Sequence, residues 1–411
     1  VTISFDSHAD GIVIQDPIER RTFSLHTFDA VHPVAVDTDS FCFPVDRAVR
    51  VRTSGLRLPI PTAVYVRDES GEMLTSIEGI QREELPSGTY TIELCPPIKL
   101  YLHVEGTVSI GASFEDVTID FGSVVDVNIG GRSLHRRPAG TVTTTTDPAD
   151  MMAAISTFGS ALKTTSPERS FPTLRGHPPT VELGEELHVP DGLKPPETGI
   201  TVEVPPEYGS IFPVAPLAYY LGAELVPGNT PRIVTDEFEH PLDTSLGFEK
   251  EVERVLKQTF LFDCIARTEG LYPVNLYERR EVESMVDLDF ATLYDTPFAK
   301  RLEAYLSVPY NLIEEFVPDW QLTTHVSPTS DNVEMLPFLV NDLAIIRTPH
   351  AKEVSASSIQ VPAVEQFVRG KTRSLSETAT NPRSFIEPEP SDSLEEVWVA
   401  TRRQSERARR R

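Results

Sequence analysis

The feature that most limits the fold is a change of hydrophobic period near Asp147-Pro148. Before it, apolar residues alternate one by one. Tyr90, Ile92 and Leu94 point one way while Thr89, Thr91 and Glu93 point the other. Leu100, Leu102 and Val104 repeat the pattern, as do Val117, Ile119 and Phe121, and then Val125, Val127 and Ile129. Alternation by two places successive side chains on opposite faces of a strand. Turn-forming residues at Asp68-Glu-Ser-Gly71, Pro86-Ser-Gly88 and Gly130-Gly131 separate the runs. Strands recurring every 8–12 residues or so point to an all-β sandwich or barrel, and we assign it to residues 1–146.

After the change the period is helical. Asp147 suits an N-cap and Pro148 the first turn. Met151, Met152, Ile155, Phe158 and Leu162 then predict a helix of about fifteen residues. Residues 164–206 are rich in proline and read as an ordered connector over a surface, with a short strand at 201–204. Residues 147–210 thus form a helix and connector. Residues 211–369 read as a mixed, helix-rich α/β region. Helices are expected at 214–222, 248–269, 278–286, 296–306 and 310–316, with strands at 320–326 and 343–347. In 248–269, the stripe Phe248, Val252, Val255, Leu256, Thr259, Phe262 and Ala266 ends at Gly270, a C-cap residue. Residues 370–411 read as a flexible segment and basic tail, interrupted by a strand-like run at 396–399. The fold class is therefore α+β.

Charge bears on the surroundings. Acidic residues number 62 and basic residues 37, a formal charge of −25. The last eleven residues hold six Arg and one Glu, so those before them carry −30. Lysine occurs eight times against 29 arginines. Self-repulsion of this size opposes compaction at low ionic strength, and molar salt, with a Debye length of about 3 Å, removes most of it. The composition fits a salt-filled, halophilic cytosol. No signal peptide is evident in residues 1–40. The longest uncharged apolar stretch, 208–223, is broken by Pro213 and Pro216 and falls short of the about 20 residues a membrane helix needs. Cys42, Cys95 and Cys264 lack metal-ligand spacing and read as buried, reduced thiols. These features predict a cytoplasmic protein without a membrane segment.

Candidate chemistry is sparse. Asp6, His8 and Asp10 alternate, so an extended chain places them on one face as candidate ligands for a divalent cation; an ordinary turn is the alternative. Arg132, His135, Arg136 and Arg137 form a basic cluster in an acidic chain. It suits an anion, a phosphate or the acidic surface of a partner, or else an internal salt-bridge network. Nucleic acid is a poor fit, because salt weakens phosphate contacts steeply. His103 reads as an exposed strand residue beside Tyr101 and Glu105. Cys264, among apolar neighbours, reads as structural, and Asp263 is placed to pair with Arg267 one turn on. No phosphate loop, dinucleotide fingerprint, His-Glu-x-x-His or Gly-x-Ser-x-Gly occurs. No catalytic residue or cofactor is assigned.

The runs Asp6-Ser-His-Ala-Asp-Gly11, Ser166-Pro-Glu-Arg-Ser-Phe-Pro-Thr-Leu-Arg-Gly-His-Pro-Pro179 and Val214-Ala-Pro-Leu-Ala-Tyr-Tyr-Leu-Gly222 resemble the amino-terminal part of large haloarchaeal proteins. Those proteins carry a caspase-like CHAT domain at the carboxyl end. The resemblance implies that Glu396-Val-Trp-Val399 lies near that domain's first strand, and that its His–Cys pair has no counterpart here. The expected function is then a non-enzymatic interaction or regulatory module with a protein partner or a missing C-terminal domain. A truncated caspase-like cysteine peptidase and a small-molecule enzyme without a known motif are the alternatives. The arginine-rich residues after Ala400 suggest a shifted reading frame or truncation.

Overall fold

The computed structural model describes residues 3–271, 273–348 and 393–399. Its amino-terminal half is a ten-stranded antiparallel sheet. The strands are β1 (Ser4–His8), β2 (Gly11–Asp16), β3 (Arg21–Thr27), β4 (Val34–Val36), β5 (Arg47–Leu58), β6 (Val64–Arg67), β7 (Met73–Ile77), β8 (Gln81–Leu94), β9 (Lys99–Ala112) and β10 (Val117–Arg132). Their order is β1-β2-β3-β5-β10-β9-β8-β6-β7, with β4 on β5.

This sheet folds over on itself. In a flat sheet β1 would lie about 19 Å from β10, four spacings of about 4.8 Å. Yet a Cβ at Gly131 would come within 3.0 Å of the Phe5 ring and 3.2 Å of Ile3. A side chain there would press on β1, which closes over β10. The enclosed core includes Ile14, Leu25, Leu56, Ile92, Leu102, Ile119 and Ile129, all fully buried. Ile92, Leu102, Ile119 and Ile129 are among the residues that the two-residue alternation turned inward.

Two expected turns lie inside strands. Pro86 and Ser87 form a bulge in β8, between the pairs Leu85–Val108 and Gly88–Gly106. Proline has no N–H for the ladder and is tolerated at such a bulge. Gly130-Gly131 lies within β10. The runs 117–121 and 125–129 form one strand, whose register shifts after Asp120. Tyr101, expected on the outer face with His103, is fully buried: it stacks on Phe43 with ring centroids 4.8 Å apart. The segment carrying Phe41 and Phe43 covers that face.

The second half begins at β11 (Thr141–Thr144), which pairs in parallel with β12 (Thr180–Leu183). Between them lies α1 (Pro148–Ser156), where Asp147 caps the Ala149 N–H as its sequence suggests. The helix runs nine residues rather than about fifteen, and a 3-10 turn at Phe158–Ala161 continues it. Next come β13 (Thr201–Val204), α2 (Tyr208–Leu221), β14 (Glu224–Pro227), β15 (Arg232–Val234) and β16 (Glu239–Pro241). These strands form a sheet of order β14-β13-β15-β16. Helix α2 is buried from Ser210 to Leu221 and ends at Gly222 in the left-handed conformation.

The helices α3 (Phe248–Ala266), α4 (Tyr277–Glu283), α5 (Phe290–Asp295) and α6 (Phe298–Ser307) follow. Gly270 sits past a 3-10 turn with φ −104°, so it is no left-handed cap. Its missing Cβ makes room for the Tyr294 ring. The expected helix at 310–316 is two 3-10 turns. Finally come β17 (Leu322–Val326), α7 (Leu336–Asn341), β18 (Ile345–Arg347) and β19 (Glu395–Val399), whose three strands form a parallel sheet of order β18-β17-β19. The fold is α+β. The expected flexible segment at 370–392 and the tail from 400 lie outside the described residues.

The connector does not merely cross a surface. Its 3-10 turn Pro167–Ser170 is wholly buried against α3 and α6. Arg169 and Asp263, both fully buried, pair at 2.5 Å, and Arg301 Nε lies 3.7 Å from Asp263. Tyr220 donates to the same carboxylate at 2.8 Å. Asp263 thus meets Arg169 and Arg301 rather than Arg267, because this face of α3 packs inward. Burial pushes its carboxyl up, against the pull of both guanidiniums.

Candidate functional site: a cleft at a three-way junction

The residues after β10 fix the site. The loop 133–140 leaves the sheet, and its backbone is clamped on both sides. Asp46 accepts the Ser133 N–H at 2.8 Å, Ser133 Oγ that of His135 at 3.1 Å, and Glu19 that of Arg136 at 2.5 Å. From the connector, the His177 N–H donates to the His135 carbonyl at 2.7 Å. A partly buried ion pair, Lys163–Asp46 at 2.9 Å, closes the same seam.

These clamps hold His135 at φ +49°, a left-handed conformation that few non-glycine residues adopt. Its side chain is 5% exposed, and neither ring nitrogen has a hydrogen-bond partner. Gly176 must lack a Cβ, which would stand 2.5 Å from His135 Nδ1. Burial, then the charges of Lys163 and His177, push the imidazole down to about 3. The ring is therefore neutral at ordinary pH. A neutral imidazole offers one N–H donor and one lone-pair acceptor.

His135 borders two cavities. The smaller, about 270 Å³, lies toward Asp46, Lys163 and Leu193. The larger, about 500 Å³, opens where three parts of the chain meet. The loop supplies His135 and Arg136, and the connector supplies Thr173 and Arg175. The parallel sheet supplies Gln321 and Asp342, which precede β17 and β18, and Glu395, which begins β19. Arg175 is partly committed, since its NH1 donates to the Arg169 and Ser170 carbonyls at 2.8 and 2.7 Å. Leu343, beside Asp342, is also left-handed at φ +51°, and its carbonyl accepts the Trp320 indole N–H at 2.7 Å. Of the three left-handed non-glycine residues described, two adjoin this cleft. Such strain collects at working sites more often than elsewhere.

The basic cluster seen in the sequence is not one patch. Arg132 is buried; its NH1 donates to the Pro44 carbonyl at 3.3 Å, and its guanidinium lies 5.3 Å from the Tyr101 ring centre. Arg136 and Arg137 are exposed. Among the described residues none of the three arginines forms an ion pair. His135 and Arg136 do reach a common cleft. Its other members, from 173–175, 321, 342 and 395, gave no local signal; the odd backbone at Leu343 is invisible in sequence.

Asp6 and His8 lie on β1 and Asp10 in its turn into β2, all exposed. Among the described residues no group of three His, Cys, Asp or Glu side chains is placed to hold a metal ion. The tight turn returns the chain at Gly11, before Asp10 can extend the row. Cys42 and Cys95 are exposed rather than buried, and Lys99 Nζ lies 2.9 Å from Cys95 Sγ. Cys264 is partly buried, and burial pushes its thiol up to about 11. The run at 396–399 lies in β19, which pairs in parallel with β17. No described helix is long and apolar enough to cross a membrane.

No protein-family model matches the chain, and no curated protein or solved structure was found to be similar to it.

Proposed function

We propose that this chain is a non-enzymatic interaction module that binds a ligand in the three-way cleft. The observation that carries the reading is the polar cavity of about 500 Å³ where the loop, the connector and the parallel sheet meet, each bringing charged side chains. A ligand held there joins the β-sheet domain to the helix-rich region, which suits a regulatory role.

One further point favours binding over catalysis. The Cys264 thiol is pushed away from the thiolate form that a cysteine peptidase requires. The acidic composition supports a setting of concentrated salt; on that reading the melting temperature rises steadily with added KCl.

The test is a thermal-shift screen of small polar compounds against the wild type and Thr173→Trp, which fills the cleft. Compounds that raise the wild-type melting temperature should lose their effect in the variant. Hits that act equally on both proteins would place binding elsewhere and overturn the reading.

A further inference from the structure

The geometry points to a small zwitterion, a free amino acid or an unblocked short peptide, as the ligand of this cleft. This rests on the binding-module reading above and gives it a ligand class.

The cleft carries both signs of charge, and they come from different parts of the fold. Arg136 belongs to the loop after the sheet domain and Arg175 to the connector, while Asp342 and Glu395 belong to the parallel sheet. Among the described residues, Arg136, Asp342 and Glu395 form no ion pair. Asp342 accepts only the neighbouring Asn341 side-chain amide at 3.0 Å. A ligand of single charge would face a like charge on one of these elements. A ligand carrying an ammonium and a carboxylate satisfies both. The space of about 500 Å³ lies within the usual range for small-molecule pockets and admits an amino acid or short peptide.

His135 shapes the wall of the cleft rather than touching the ligand. It is more than nine-tenths buried, both ring nitrogens are covered, and Nδ1 faces the connector at Gly176. Its backbone is tied by Ser133 and His177, so the loop holds Arg136 at the cleft.

The experiment is calorimetric titration of the full chain with free L-amino acids and with glycyl-leucine, each beside its N-acetyl and its C-terminal amide counterpart. Zwitterions should bind, and blocking either end should weaken binding about tenfold, or 1.4 kcal/mol. Asp342→Asn should weaken the zwitterions about tenfold and leave N-acetyl compounds unchanged. Arg136→Gln should do the reverse, sparing the amides. Both positions are exposed, so both variants should fold. Equal binding of blocked and unblocked compounds, or charge variants without effect, would overturn the assignment. Should only uncharged or singly charged compounds bind, and lose binding in Thr173→Trp, the module reading stands and the zwitterion fails. Absence of any cleft-dependent ligand defeats both.

Discussion

The two halves of this molecule are stabilised in different ways. The sheet domain buries a core of aliphatic side chains from alternating strand positions, and its polar backbone groups are paired by the ladder. The helix-rich half also has an apolar core, but at its centre lie Arg169, Asp263 and Arg301, almost without solvent contact. A core of the first kind tolerates loss of a methyl group in proportion to volume. A buried ion cluster behaves otherwise: removing one member leaves charge without compensation. The sheet domain should therefore yield gradually to substitution and the helix-rich half abruptly.

The largest expected effect breaks the cluster. Asp263→Ala should destabilise the protein by about 3–5 kcal/mol, measured by urea unfolding, because two guanidiniums lose their carboxylate. Replacing all three members with apolar residues of similar volume should restore most of that loss. If the triple variant is no better than the single one, the cluster is not the source of the cost. On the other side of the comparison, Ile119→Ala, fully buried in the sheet domain, should cost about 3 kcal/mol. An Ile119 effect larger than that of Asp263 would reverse the contrast.

At the seam between the halves, Lys163→Met removes the partner of Asp46, whose other oxygen caps Ser133. About 2 kcal/mol is expected, in line with a hydrogen bond to a charged group. Smaller still, Asp147→Ala should cost about 1 kcal/mol through the lost N-cap of α1.

Acid sharpens the comparison at one residue. The His135 imidazole is held down at about 3 in the folded chain, against about 6.5 when unfolded. Between those values the unfolded chain binds one more proton, so stability falls as pH drops through that window. The contribution is fully present above pH 6.5 or so and lost toward pH 3. His135→Asn should flatten that part of a pH–stability curve, and an unchanged slope would show that other groups set it.

Most of the sheet domain was legible in the sequence because its signal is local. Strand alternation needs only neighbouring residues, and the inward-turned ones at 90–104 and 117–129 are those that reach the core. Asp147, the strand at 201–204 and the stripe of α3 were legible for the same reason. What stayed hidden depends on contacts between distant segments. Pro86 and Gly130 resembled turns, because a bulge and a packed crossing use the same residues as a turn. The burial of 167–170 depends on Arg301 reaching back 136 residues to the Thr165 carbonyl, which leaves no periodicity. α5 and α7 span six residues each, too few for a helical period to register. In the cleft, His135 and Arg136 drew notice as basic residues in an acidic chain. Asp342 and Glu395 were two acids among 62, and only the fold brings them alongside.

The most direct test of the cleft is hydrogen–deuterium exchange on the full chain, with and without a compound found by the thermal-shift screen. The account expects ligand-dependent protection in three separated segments, around 134–136, 173–176 and 341–343, with exchange in the sheet-domain core unchanged. Protection confined to one of these segments, or appearing mainly elsewhere, would contradict a ligand site built where the two halves meet.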